Sequence, residues 1–190
     1  MKKIMFSDDY CLTKAVLDGT KTMTRRIVPL SLLEKYDVWY EDFIYKPIGE
    51  ENYLSLEEYV LKRTTYKVGE VIAIAQSYYT IGKPQYDKFG NGVPGNSNKM
   101  FVRADLLPHH IRITDVKVER LQSISDADIL KEGVYQFDEL FYVSKDIGYA
   151  PEVAFPTARE AFWFLIDKVS GKGTWEINPW VVAHSFELVD

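Results

Sequence analysis

The chain has 190 residues, 46% hydrophobic and 27% charged, with a formal net charge of −5, which excludes a disordered chain and an indiscriminately phosphate-seeking basic domain. Its one cysteine, Cys11, leaves no internal disulfide or thiolate zinc cluster and fits a reducing compartment. The apolar runs are too short for a membrane span, and Ser7-Asp8-Asp9 interrupts the first apolar stretch before a signal sequence forms, so the chain reads as one cytoplasmic domain.

Ile4 to Phe6 reads as a short first strand. Ser7 or Asp8 then caps an amphipathic helix in which Cys11, Leu12, Ala15 and Val16 share a face. Gly19 follows as a helix stop at positive φ. Beyond it, Lys21 to Val28 is a strand, with Met23 and Ile27 pointing inward and Thr22, Thr24 and Arg26 on the opposite face. A lysine, three threonines and two arginines thus crowd a helix end, and taken alone they read first as a turn lysine with solvated strand arginines. Residues 29–65 carry many Tyr and Glu and a helical pattern at Leu54, Leu56, Tyr59, Val60 and Leu61, the texture of an insertion or lid on the core.

The apolar run Val71 to Gln76 predicts a central strand covered on both faces. Residues 80–100 form a second elaboration, a long irregular loop, after which Phe101-Val102-Arg103 resumes a strand. Ile111-Arg112-Ile113 and Val116-Lys117-Val118 alternate in different phases, which predicts a bulge near Thr114-Asp115. Ser125-Asp126-Ala127-Asp128 opens a short helix that ends at Gly133, so Glu132 lies in its last turn, opposes the helix dipole and calls for a cation. Thr157-Ala158-Arg159-Glu160 opens another, with Ala161, Phe162, Leu165 and Val169 as its buried stripe. Residues 171–179 read as a loop, and Trp180, Val182, His184, Phe186 and Leu188 line one side of a final strand. Strands outnumber helices by about two to one and are joined mostly by turns, which points to a mixed barrel-like sheet with helices outside.

Metal and cofactor chemistry find no support in these residues. His109, His110 and His184 lack helical ligand spacing, and Gly90-Asn91-Gly92-Val93-Pro94-Gly95 is followed by neither a helix start nor Lys-Ser/Thr. No serine stands in a nucleophile elbow.

What remains is a set of motifs in a fixed order. Gly19-Thr20-Lys21-Thr22-Met23-Thr24-Arg25-Arg26 comes first, then Lys67-Val68-Gly69-Glu70-Val71, then Ile124-Ser125-Asp126 through Lys131-Glu132-Gly133-Val134. Gly171-Lys172-Gly173-Thr174-Trp175-Glu176-Ile177-Asn178-Pro179 then leads into a closing strand from Trp180 to Phe186. The series resembles the ASCH-domain family of the PUA-like superfamily, most of all its phage-related members, although Ala75-Gln76-Ser77-Tyr78 replaces a charged Arg-Glu-Thr-Trp-like segment. The resemblance implies an α+β, mainly β fold over residues 1–190: a PUA-like pseudo-barrel of about six mixed strands with helices packed outside. It implies a cleft facing a nucleic acid or nucleoside.

Small members of the family deacetylate N4-acetylcytidine with a lysine, a threonine and a glutamate, which fall by motif on Lys21, Thr24 and Glu132. In that chemistry a nearby base activates the threonine hydroxyl, the lysine needs a lowered pKa, and the glutamate handles a proton. Lys21 and Thr24 converge only if the chain bends at Thr20 to Thr22. The first reading is a binding module for RNA, single-stranded nucleic acid or a modified nucleoside. Lys21, Thr22, Arg25 and Arg26 would meet phosphate or base there, with Gln76, Tyr78 and Trp175 completing the binding set. The second is an amidohydrolase using Lys21, Thr24 and Glu132, and the third is an accessory protein whose aromatic insertion makes protein contacts.

Overall fold

The computed structural model describes residues 1–45, 53–143 and 153–190; residues 46–52 of the 29–65 stretch lie outside them. In chain order the elements are β1 (Lys3–Ile4), α1 (Leu12–Leu17), β2 (Met23–Ile27), α2 (Leu30–Ile44), α3 (Leu56–Arg63), β3 (Val71–Ile74), β4 (His110–Arg120), α4 (Asp126–Lys131), β5 (Tyr135–Phe137), β6 (Leu140–Tyr142), α5 (Ala158–Ser170), α6 (Thr174–Ile177) and β7 (Trp180–Leu188). Among the described residues, seven strands thus accompany six α-helices, not a two-to-one excess of strands. The fold is α+β.

The main sheet has five strands in the order β1-β3-β4-β7-β2, and β5 and β6 form a separate hairpin. β1 runs parallel to β3, and the remaining neighbours are antiparallel. β3 is an interior strand, between β1 and β4, and it is covered as its apolar run demands: Ile72, Ala73, Ile74 and Ala75 are fully buried. β4 bulges between Ile113 and Asp115, where its alternation changes phase, and this lets one long strand serve two differently facing segments. Among the described residues β1, two residues long, pairs only with β3, and no ladder joins it to β2, so β1 and β2 are the two ends of the strand order. Arg26 spans the seam between them by donating to the Met5 carbonyl.

One core cluster joins Ile4, Phe6, Ile72, Ile74, Ile111 and Phe186 of the sheet side to Leu12 and Val16 of α1, Ile129 of α4 and Phe162 and Leu165 of α5. A smaller one, Val28, Val60 and Val182, seats α2 and α3 through Leu32, Leu33 and Leu56. Among the described residues no helix is long and apolar enough to cross a membrane.

Several local expectations are corrected. Neither Ser7 nor Asp8 caps α1. The helix starts at Leu12 behind Cys11 in the left-handed region, and Asp8 instead accepts a hydrogen bond of 2.5 Å from the Thr13 hydroxyl. Phe101-Val102-Arg103 is no strand. It belongs to short 3-10 turns at Lys99–Phe101 and Ala104–Leu106, the first capped by the Asn98 side chain. Residues 171–179 contain α6, a single turn entered through Gly173 at positive φ. Ile27 and Val169 are not buried but 42% and 43% exposed, because both line an open cavity between β2 and the end of α5. Leu188 is exposed at the end of β7, whose middle is buried on both faces.

The 80–100 stretch packs through Tyr78, which is buried with Ala73, Val102 and Leu107. A Cβ added at Gly95 would meet two Tyr78 ring carbons at 2.6 and 2.9 Å, and a ring set into the core has no cheap way to give. Gly95→Ala is expected to destabilise the fold by about 1–3 kcal/mol. The measurement is a lower urea midpoint at unchanged slope.

Candidate functional site

The site begins with how α1 ends. The Gly19 amide donates to the Val16 carbonyl and the Thr20 amide to the Ala15 carbonyl, a Schellman pairing that Gly19 permits at φ +72°. The Lys21 amide also bonds to Ala15, and the Thr22 amide reaches the Lys131 carbonyl at the end of α4. The chain therefore bends before β2 starts at Met23, and the Lys21 side chain is directed at the α4 terminus. Gly133 makes room there: a Cβ would come within 2.8 Å of Leu12 and 3.6 Å of the Lys21 Cδ.

Lys21 is buried, and its ammonium has three acceptors: the Met23 carbonyl at 2.7 Å, the Glu132 carbonyl at 2.6 Å and Glu132 Oε2 at 2.8 Å. An ammonium has three protons to donate, so this one is saturated. It supplies the cation that Glu132 needs at a helix C-terminus. Burial pushes the Lys21 pKa down and outweighs the opposing pull of Glu132, with Arg26 and Arg25 adding to the depression.

Arg25 takes the other carboxylate oxygen. Its side chain is fully buried, with one terminal nitrogen 2.9 Å from Glu132 Oε1 and 3.1 Å from the Met23 sulfur. Its second terminal nitrogen and its Nε reach Glu119 Oε1 at 2.6 and 3.0 Å. Asp128 closes the cluster, accepting from Lys117 at 2.9 Å and Lys131 at 3.1 Å and lying 3.5 Å from Arg25. Burial would raise the Asp128 carboxyl, but Lys117 and Lys131 override it and hold its pKa at about 2. Lys117 is raised in turn, since Asp128 and Glu119 outweigh its desolvation. Four cations thus enclose three carboxylates.

Lys21, Arg25 and Glu132 of this cluster form one wall of a cavity of about 460 Å3. Thr24, Arg26, Ser7 and Ser170 complete its polar lining, and Phe6, Leu12, Phe162 and Leu165 supply apolar surface. Other cavities, one of about 310 Å3 beside Cys11 and one of about 640 Å3 over α5, contain neither Glu132 nor the arginines.

The remaining members of the binding set lie elsewhere. Thr22 is half-buried and engaged through its backbone, to Lys131 and Phe186. Gln76 is buried and its Oε1 has no hydrogen-bond partner among the described residues, but it does not line the cavity. Tyr78 is committed to the packing under the 80–100 stretch. Trp175 sits edge-on to Phe162, ring centroids 6.1 Å apart, with its amide on Asp167, and so supports α5 from outside the cavity. None of Glu119, Asp128, Lys117 and Lys131 carries a site signal in the sequence: Asp128 reads as the acid of a capping box, Lys131 as part of the helix-end motif and Lys117 as the polar position between Val116 and Val118, and nothing local names their partners. Among the described residues no three of His, Cys, Asp and Glu are arranged to hold a metal.

His184 pairs across the sheet with Thr24, and its Nε2 lies 3.2 Å from the Thr64 hydroxyl. Burial first, and then the charge of Arg26, lower its pKa to about 4.

No family model matches the chain, and no curated protein matches it. Among solved structures the chain is similar to protein EF3133 of Enterococcus faecalis V583, described under family model DUF984, at 16% identity and a TM-score of 0.35 over 94% of this chain and 67% of that one.

Two outcomes follow from this geometry. Replacing Glu132 by Leu leaves Lys21 and Arg25 buried against less countercharge and is expected to cost about 3–5 kcal/mol, of which the Lys21→Met, Glu132→Leu double variant recovers a large part. Urea unfolding in a double-mutant cycle measures both. His184, depressed in the fold, binds its proton more readily when unfolded, so stability declines as pH falls from about 6.5 towards 4. At pH 5 the loss relative to pH 7 is about 2 kcal/mol. His184→Gln should flatten that part of the melting-temperature profile.

Proposed function

We propose that the protein is a cytoplasmic ASCH-type module of the PUA-like superfamily whose cavity takes a single base, of RNA or another single-stranded nucleic acid or of a modified nucleoside. The observation that carries this reading is the cavity of about 460 Å3 in which Thr24, Arg26 and the Lys21–Glu132–Arg25 cluster face the same space as Phe6, Leu12 and Phe162. Its volume falls in the range of small-ligand sites, and a base needs this mixture: apolar surface for its ring faces and a few placed donors and acceptors for its edge. The net charge of −5 fits recognition by a local site better than attraction spread over a whole surface. Lys21 and Arg25 have the task of holding Glu132 in place, and Thr24 and Arg26 are left to meet the ligand.

A second reading is an amidohydrolase acting on an N4-acylated cytidine, favoured by the shared wall of Lys21, Thr24 and Glu132. The Thr24 oxygen would attack the acyl carbonyl as its proton passes to a neutral Lys21. The C–N bond would then break as the amine takes a proton back, and water would hydrolyse the acyl ester to a carboxylate and restore the hydroxyl. Burial lowers the Lys21 pKa, and to accept the proton its amine must also release one of the three acceptors it holds in the structure.

Calorimetric titration with the four ribonucleosides and N4-acetylcytidine tests the first reading. At least one should bind with Kd below about 1 mM and weaken about tenfold or more in Thr24→Val or Arg26→Ala. Absence of saturable binding by all five overturns it. Release of cytidine from N4-acetylcytidine, abolished by Thr24→Ala, is the result expected of the hydrolase; binding without turnover eliminates it.

A further inference from the structure

The three cations of the opening stretch are not equivalent. Lys21 and Arg25 are enclosed and spend their donors on Glu132, Glu119 and backbone carbonyls. Arg26 is exposed, donates to the Met5 carbonyl alone and pairs with no carboxylate among the described residues. It also stands at a boundary. A second cavity, of about 330 Å3, is lined by Lys3, Met5, Arg26, Thr65 and Tyr66, and it shares Arg26 and Met5 with the first.

The two cavities meet at the shared arginine. On the first side the guanidinium lies 6.0 Å from the centroid of Phe6. On the second is Tyr66, fixed by a 2.9 Å hydrogen bond from its hydroxyl to the Lys3 carbonyl and by an edge contact with His184. Lys3 adds positive charge there without free donors, because the carbonyls of Lys99, Met100 and Val102 take its ammonium at 3.1, 2.6 and 2.5 Å. Phe6 is 5% exposed and belongs to the core, so the order from one cavity to the other is pocket, guanidinium, ring, in which a base, the phosphate after it and a second base would be met. A guanidinium fork suits a phosphodiester, and base stacking on aromatic rings tolerates any sequence.

We propose that the two cavities form one two-nucleotide site, with a base in the first cavity, the joining phosphodiester on Arg26 and the neighbouring base against Tyr66. The inference rests on the single-base reading of the first cavity and names its ligand: a strand of at least two nucleotides, in preference to a free nucleoside.

The probes are the four ribonucleosides, their 5′- and 3′-monophosphates and the dinucleoside monophosphates ApA, CpC, GpG and UpU, each titrated calorimetrically. A dinucleoside monophosphate should bind at least about fivefold tighter than its nucleoside or either monophosphate, the low end of what stacking one further base gives. That ratio should fall to near unity in Arg26→Ala and Tyr66→Leu, persist in Tyr66→Phe, and decline with added salt. Nucleosides that bind while dinucleotides bind no tighter overturn the two-nucleotide site and leave the single-base reading intact. A gain captured in full by a monophosphate overturns the second base position. Failure of every probe to bind removes the single-base reading, and this inference with it.

Discussion

Everything around the cavity depends on keeping one carboxylate charged where water hardly reaches. Glu132 is 5% exposed and sits at the end of a helix whose dipole repels it, and it is held by an ammonium on one oxygen and a guanidinium on the other. Those two cations arrive from a segment more than a hundred positions earlier in the chain, so the cluster ties the α1–β2 turn to α4 across the fold. Glu119 and Asp128 extend it to β4, so three secondary-structure elements and one turn share a single electrostatic constraint. A side chain so enclosed is poorly placed to greet a ligand. Its value is in fixing the wall against which less committed groups, Thr24 and Arg26, are presented.

The fold serves this arrangement by bending where it needs to. Gly19 and Gly133, both at positive φ, stop α1 and α4 so that the two ends meet. The bulge in β4 turns Lys117 and Glu119 towards the cluster while Ile111 and Ile113 stay in the core. The helices α2 and α3, seated on β4 and β7 by the smaller apolar cluster, take no part in the cavity.

Much of the scaffold was legible in the sequence because its signals are local. Both helix-stopping glycines, the caps at Ser125 and Thr157, the central β3 run and the phase change in β4 are written in neighbouring residues. The need of Glu132 for a cation was legible for the same reason, but the identity of that cation was not, since nothing local says which lysine crosses the fold to meet it. Tyr78 and Trp175 illustrate the reverse error. Aromatic side chains look equally suited to stacking a base or filling a core, and only their neighbours, Val102 and Leu107 for one and Phe162 for the other, decide. α2 escaped because it buries no residue fully, and its Tyr36, Trp39 and Phe43 lean on one another and on Tyr59 instead of forming an aliphatic stripe. Of the fold expected from the family resemblance, the α+β class and the mixed sheet are present, and among the described residues no ladder closes that sheet between β1 and β2.

That short strand has a consequence for solubility. The two end strands, β1 and β2, are bridged by Arg26, with Met5 and Ile27 exposed beside it, the kind of seam through which a second chain adds itself to a sheet. A charged guanidinium laid across the seam resists that approach, in the way edge lysines do elsewhere. The side chain at position 26 therefore answers to self-avoidance as well as to the recognition proposed for it, and a neutral residue there relaxes both.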